Sequence, residues 1–483
     1  MTEIPAQVDV AIVGSGAAGL AAAVTLAEGG ASVVVFEKQR SLGGTTNFIH
    51  GTFGVESDMQ RERYIDFTRD QAFKSIMDYS HWIANPRLVR AIVDESGATI
   101  AWLRERGAVF VEATINMPAA PRTYHVIKGK GEAIVMTLVT RLKGMGAGIF
   151  PETPVTGLLR ASGRLSGVVA EVDGEEVEVA ARAVLVATGG FANNKEWIKR
   201  YSGFELGRDV IPIGNTGKMG DGIRMAWEAG AAEEGISLLE LFRVAPIGPD
   251  FAVWNDIEIA GAQPDLWVTP RGERFCDETV AFWDTHVGNA NAKHARDGYT
   301  WNLMDDSILQ DMIDRGVDNN VGVDFPPGYR PVNVFREIQL AVDRGSTEVL
   351  AAGSLEGLAA KMGADPALLK ATVDDYNACC AAGHDPLFAK ERRFLRPLLG
   401  PRYYAVKGRT VFLGTMGGIK VNGGLEVLDK KDEVIPGLYA GGFDAGGMYG
   451  DSYPIKTSSG LASAFAFNSG RVAARSILRY LGE

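Results

Sequence analysis

The sequence predicts an α/β protein built on a parallel sheet. Three observations carry this reading. The stretch VDVAIVGSGAAGLAAAVTLAEGGASVVVFEK, residues 8–38, has the pattern strand, glycine turn, helix, strand. RAVLVATGGFANN, residues 182–194, is an apolar run that ends in glycines. VIPGLYAGGFDAGG, residues 434–447, repeats that arrangement near the other end of the chain. Short apolar runs bounded by turn residues suit strands covered on both faces.

In the first unit, Val8 to Val13 is the strand and Gly14, Gly16 and Gly19 form GxGxxG at the turn. Gly14 allows the tight turn, Gly16 lets the backbone approach a pyrophosphate, and Gly19 lets the helix pack close to the strand. The helix N-terminus then offers backbone N–H groups and a positive dipole end to the phosphates. The second strand ends at Glu37. A carboxylate there accepts hydrogen bonds from ribose hydroxyls. An acid at this place favours a ribose without a 2′-phosphate, so FAD or NAD over NADP.

The later segments favour FAD. The strand ending at Thr188, Gly189 and Gly190 and the strand running to Gly442 and Asp444 both suit the same sheet. A nicotinamide enzyme has no need of a fold closed by the far C-terminus, whereas the ribityl–isoalloxazine half of FAD needs its own walls. Asp444 is expected to accept ribityl hydroxyls. A helix starting near Ser459 is expected to aim N–H groups at the flavin O2 and stabilise charge on the reduced ring.

The totals bound the rest. The chain has 483 residues, a net charge of −11 and three cysteines, Cys276, Cys379 and Cys380. The acidic balance argues against nucleic acid or an acidic membrane as partner. The cysteines form neither a CxxC motif nor a zinc site, which fits a reducing compartment. MTEIPAQVDVAIVGSG lacks a basic region before its apolar run, so no signal peptide is expected. No uncharged run approaches the ~20 residues that span a bilayer. A soluble, cytoplasmic protein without a metal is the expectation.

GSGAAGLAAAVTLAEGGASVVVFEK, GGTT, IGNTGKMGDGIRMAWEAGA, PRGERFCDE, GTMGG and VIPGLYAGG stand in this order. Together they resemble the fumarate reductase/3-ketosteroid dehydrogenase group, the FAD-dependent oxidoreductase 2 family. The resemblance covers most of the chain. It implies a discontinuous, Rossmann-like FAD-binding domain in residues 1–244 and 414–483, with an inserted α+β capping domain in 245–413. The catalytic site of that fold lies between the two, over the flavin. It extends the cofactor-binding set to Ala17, Ala18, Lys38, Gly43, Gly44, Thr45, Thr46, Gly51, Val155, Asp221 and Leu461. Membrane-bound members of the family tether FAD to a histidine at the place of Thr45, so FAD is expected to be held non-covalently, with nearby His50 structural.

Fumarate reductases hold a dicarboxylate with histidine and arginine and protonate it with another arginine. The corresponding places here are Ala245, Gly414, Tyr453 and Phe282. A carboxylate left unpaired in such a site costs several kcal/mol, which argues against fumarate. The 3-ketosteroid dehydrogenase branch is closer, with a tyrosine–proline pair like Tyr453-Pro454 and an LGT–GG stretch like Leu413 to Gly418. That branch implies that Tyr453 and the N–H of Thr457 hold a ketone oxygen and that Tyr124 assists proton transfer. Its general-base tyrosine falls at Phe282, which carries no proton, so Tyr124 is the first substitute, with His125, Asp284 and His286 behind it. Lys456 either reaches solvent or pairs a remote carboxylate. Phe242, Trp254 and Trp267 fill the cap core or line an apolar pocket.

The resulting expectation is an FAD-dependent dehydrogenase or ene-reductase acting on the C=C bond next to a ketone in a cyclic or bulky substrate, steroid-like or an alicyclic keto acid. Its partners would be that ketone or enone and an unidentified electron donor or acceptor. The alternatives are a reductase for an unsaturated acid, anchored by Lys456 or Arg409, and a redox flavoprotein without an organic substrate.

Overall fold

The computed structural model describes residues 4–214, 217–252, 254–295 and 297–482. The chain forms two compact units: residues 1–203, 214–240 and 413–483 make the first, and 204–213 with 241–412 the second.

In the first unit, the apolar run QVDVAIV becomes strand β1 (Gln7–Val13), followed by helix α1 (Ala17–Glu28) and strand β2 (Val33–Phe36). Strands β3 (Gly148–Phe150), β4 (Glu175–Val186) and β5 (Val434–Ala440) join them in one sheet. Its order is β5-β4-β1-β2-β3, with the short strand Glu426–Leu428 outside β5. The labelled strands run parallel: Val10 pairs with Val33 of β2 and Ala183 of β4, and Val184 pairs with Leu438 of β5. A hairpin, Val155–Ala161 and Arg164–Val172, adds antiparallel to the start of β4.

From β1 the chain moves to β2 and β3 on one side and to β4 and β5 on the other. The order reverses between β1 and β4, and in such sheets the ligand crevice lies beyond the carboxyl ends of the strands at that reversal. The last helix, α2 (Leu461–Gly482), crosses α1 at small residues. A Cβ on Gly470 would lie 2.1 Å from the Ala18 carbonyl oxygen, so only glycine permits this approach. A small sheet, Gly51–Phe53, Tyr124–Ile127 and Phe110–Thr114 in that order, completes the unit.

The second unit is α+β. Its sheet runs Ile211–Pro212, Tyr403–Thr415, Tyr299–Asp305, Leu266–Val268, with Leu239–Val244 and Val349–Ala352 also on the long strand. Helices Asp306–Arg315, Val334–Asp343 and Pro366–Ala382 contribute Leu309, Ile338 and Tyr376 to its core, beside Trp301 and Tyr404. The PRGERFCDE stretch owes its charges to this core. Glu278 is fully buried and accepts two hydrogen bonds from Arg274, each 2.8 Å, while Lys390 Nζ lies 3.0 Å away. Arg274 also reaches Asp385 at 2.8 Å. This network anchors the short 3-10 turn Glu278–Phe282.

Candidate active site

The crevice of the first unit is built from turns at the ends of β1, β2, β4 and β5. Gly14 has φ +107° and donates to the Phe36 carbonyl at 2.8 Å; a Cβ on it would lie 2.3 Å from the Ala187 oxygen. A Cβ on Gly19 would lie 2.0 Å from the Gly14 oxygen. Gly16 sits at the N-cap of α1 without a side-chain cap, and Ala17 N–H donates to Thr46 Oγ1 at 2.9 Å. Ala18 backs this turn against Gly442, whose N–H donates to Ser469 Oγ at 2.9 Å. Glu37 accepts from Ser15 N–H at 3.0 Å and Ser15 Oγ at 2.7 Å, and Ser15 Oγ accepts from Gly43 N–H at 3.0 Å. Gly43, with φ +99°, opens the 3-10 turn Gly44–Phe48 that carries Thr45 and Thr46.

Beyond β4, Thr188, Gly189 and Gly190 wrap the Asp444 carboxylate. It accepts from Gly190 N–H at 2.8 Å, Thr188 Oγ1 at 2.9 Å, Gly189 N–H at 3.3 Å and the Thr188 N–H. Asp444 is fully buried; burial pushes its pKa up and these donors offset part of that. It therefore ties the end of β5 to the end of β4. Asp221 pairs at 2.5 Å with Lys38, the residue after Glu37. Thr45 Oγ1 donates to the Gly214 carbonyl at 2.9 Å and accepts from Lys218 Nζ at 2.5 Å. Val155 is buried at the start of the hairpin.

These residues fit a dinucleotide: close-approach glycines, a helix N-terminus that starts at a glycine, a carboxylate at the end of β2 and a buried lysine. Residues 14–19 would hold the pyrophosphate and Glu37 the ribose. FAD, when bound, supplies hydride exchange.

A cluster of phenols forms at the start of α2. Tyr453 is buried, and its oxygen accepts from Ala462 N–H at 3.1 Å. Burial pushes its pKa well above the ordinary value, Glu240 and Tyr449 add to this, and the Ala462 bond opposes it. Tyr453 thus stays neutral, and its own proton has no acceptor among the described residues. Tyr449 packs beside it at a tilt of 49° with ring centroids 5.6 Å apart, and its buried hydroxyl has no hydrogen-bond partner among the described residues. Tyr124 lies between Gly51 and Gly460, where added Cβ atoms would meet its ring at 2.5 and 3.0 Å. Thr457 N–H donates to the Pro454 carbonyl at 3.2 Å, and Ser459 Oγ to the Ile455 carbonyl at 3.0 Å. The helix itself begins at Leu461.

The other candidates have structural surroundings. His125 is fully buried; its Nδ1 lies 3.1 Å from the Thr123 carbonyl and its Nε2 2.7 Å from Ser57 Oγ, so the neutral ring donates to one and accepts from the other. Burial holds its pKa down at about 4. Phe282 belongs to the second unit and packs on Phe394 at 5.2 Å. Asp284, also there, is pushed up to about 7 by burial. His286 meets Trp283 edge-on at 5.5 Å, Trp267 is buried in the core, and Lys456 is exposed. Arg409 is taken by Glu348, at 2.8 and 3.0 Å. Sequence reasoning missed Tyr449, Glu240 and Lys218. Only Tyr449, four residues before Tyr453 in the same glycine-rich turn, left a signal along the chain.

The family model described as an FAD binding domain matches residues 9–459. The vinyl phenol reductase of Lactiplantibacillus plantarum is 32% identical, covering 98% of this chain and 96% of that protein. The NADH:fumarate oxidoreductase of Klebsiella pneumoniae is 26% identical over 92% of this chain, which spans only 45% of that relative. The 3-ketosteroid-delta4-(5alpha)-dehydrogenase of Rhodococcus jostii RHA1, solved with 4-androstene-3,17-dione, has the same fold, with a TM-score of 0.74, 23% identity and 98% of each chain covered. With that match, and with the sheet, the glycine turn and the acid in their places, this chain belongs to the FAD binding domain family and is an FAD-dependent oxidoreductase.

Proposed function

We propose that the protein is an ene-reductase that saturates a C=C bond conjugated to an uncharged oxygen, in an enone or a vinyl phenol, and that it can run the reverse dehydrogenation. The observation that carries this reading is the Tyr453 hydroxyl, which receives Ala462 N–H and keeps its own proton for another acceptor. A phenol can donate to a ketone oxygen and can also accept from a phenolic hydroxyl; a guanidinium only donates. The same side chain therefore serves both substrate types.

For an enone, donation from Tyr453 stabilises charge on the oxygen as hydride reaches the β carbon, and one such donor lowers the barrier by about 3–4 kcal/mol. The α carbon then takes a proton, for which Tyr124, a buried phenol that acts electrostatically on Tyr453, is the candidate donor. The vinyl phenol reductase, similar along nearly its whole length, supports an uncharged aromatic substrate. Fumarate is disfavoured, since the first unit brings phenols rather than cations to the start of α2.

A second reading, reduction of an unsaturated acid, draws on Arg243 of the second unit. It is buried, makes no ion pair among the described residues and leaves Nη2 without a hydrogen bond. Burial lowers its pKa to about 9. Anaerobic reoxidation of the chemically reduced enzyme separates the two readings. Enones and vinyl phenols should restore the flavin absorbance within seconds, and acrylate and fumarate should not. The opposite ranking, lost in Arg243→Met, would establish the acid reading.

A further inference from the structure

We propose that Lys218 is a built-in counter-cation for the cofactor, its ammonium placed to meet a phosphate oxygen of bound FAD. The inference rests on the family's cofactor and not on the substrate reading above. Lys218 enters the crevice from the GKMGDG loop and is 9% exposed. Its Nζ makes one hydrogen bond among the described residues, to Thr45 Oγ1 at 2.5 Å. An ammonium has three donors, so this leaves two unused.

The surroundings do not neutralise it. Glu37 and Asp444 are the acids that act on it electrostatically, yet neither comes within ion-pair distance. Each is already engaged, Glu37 by Ser15 and Gln39 and Asp444 by the Thr188–Gly190 turn. The ammonium lies 3.3 Å from where a Cβ on Gly189 would sit and 5.7 Å from the Phe443 ring centroid. Gly189 follows β4 and Gly14 follows β1, so the charge stands near the strand-order reversal, and its partner Thr45 adjoins Thr46, whose hydroxyl accepts the Ala17 N–H of the glycine turn. Burial lowers the lysine's pKa to about 8, the mark of a cation without a close anion. A buried cation without a partner is unfavourable, and a dinucleotide brings the missing negative charge to this crevice.

The test measures binding of FAD and of ADP to apo-protein, by titration calorimetry at two salt concentrations, for wild type, Lys218→Met, Lys218→Arg and Thr45→Val. ADP carries the two phosphates without the flavin. Lys218→Met is expected to weaken both ligands about 10- to 100-fold and to flatten the salt dependence. Lys218→Arg should recover most of the loss, and Thr45→Val should lose a smaller part in the same direction. The apo form of Lys218→Met should melt no lower than wild type, because it no longer buries an unpaired ammonium. Unchanged affinity for both ligands would overturn the proposal, as would a less stable apo-protein with unchanged affinity. Weakened FAD binding with ADP unaffected and a shifted flavin midpoint potential would put the lysine beside the ring and overturn the phosphate assignment.

Discussion

Tyr453 combines two properties that rarely coincide. Burial keeps the phenol neutral, and a helix N-terminal N–H polarises its oxygen. A group so placed donates a strong hydrogen bond but does not act as a base. Tyr453→Phe should therefore lower kcat about 10²–10³-fold while FAD stays bound with an unchanged visible spectrum; wild-type turnover in this variant would remove the assignment. Asp284 makes a different prediction. Its folded-state value is raised from 3.8 to about 7 by burial, so the native state keeps a proton that the unfolded chain releases. Its contribution to stability is complete below about pH 4 and is lost as pH rises through 7. Asp284→Asn should flatten the fall in unfolding free energy between about pH 4 and 7 by roughly 2 kcal/mol after solvent screening, as measured by urea denaturation. At this scale the chain is partly legible. The Tyr453-Pro454 pair pointed to the phenol, but the lysine bonded to Thr45 lies 173 positions away, a separation that no local pattern bridges.

Among the elements, the most readable were those whose chemistry is local. β1, the glycine turn, α1 and β2 follow from apolar runs and GxGxxG, because turn, helix start and strand end are contiguous. The acid of PRGERFCDE was visible as a residue but not as a role. Arg274 is its neighbour four residues back, but Lys390 and, through Arg274, Asp385 come from a segment more than 100 residues on to hold the same turn. Removing one charge from a buried network leaves the others uncompensated. Glu278→Gln should accordingly destabilise the second unit by about 3–5 kcal/mol, seen as an earlier transition in thermal unfolding followed by tryptophan fluorescence. The start of α2 was readable to within two residues. What its first turn touches was not, since the bond from Ala462 to Tyr453 depends on how the preceding loop folds back.

For the molecule as a whole, the sheet's two-part construction was evident because β4 and β5 both end in glycines that suit the same crevice. The second unit also takes in residues 204–213, through Ile211–Pro212 paired with Val411–Phe412. So short a pairing leaves no periodic trace in the sequence. Cofactor and fold are coupled thermodynamically. FAD binds the native crevice and not the unfolded chain, so free FAD at 100 times its Kd should add about 2.7 kcal/mol to stability. The melting temperature of the first unit should then rise with FAD concentration, and an unresponsive one would mean that the crevice forms without engaging the cofactor.

The crossing of α1 and α2 has a further consequence, for biosynthesis. Gly470, which packs against Ala18, leaves the ribosome 452 residues after it. At ~5–20 residues per second, translation separates them by roughly half a minute to a minute and a half. For all that time the nucleotide-gripping turn emerges without its permanent cover, its alanine-rich helix open to chaperones or to neighbouring nascent chains. The crevice-side helix is therefore covered only once α2 has been made.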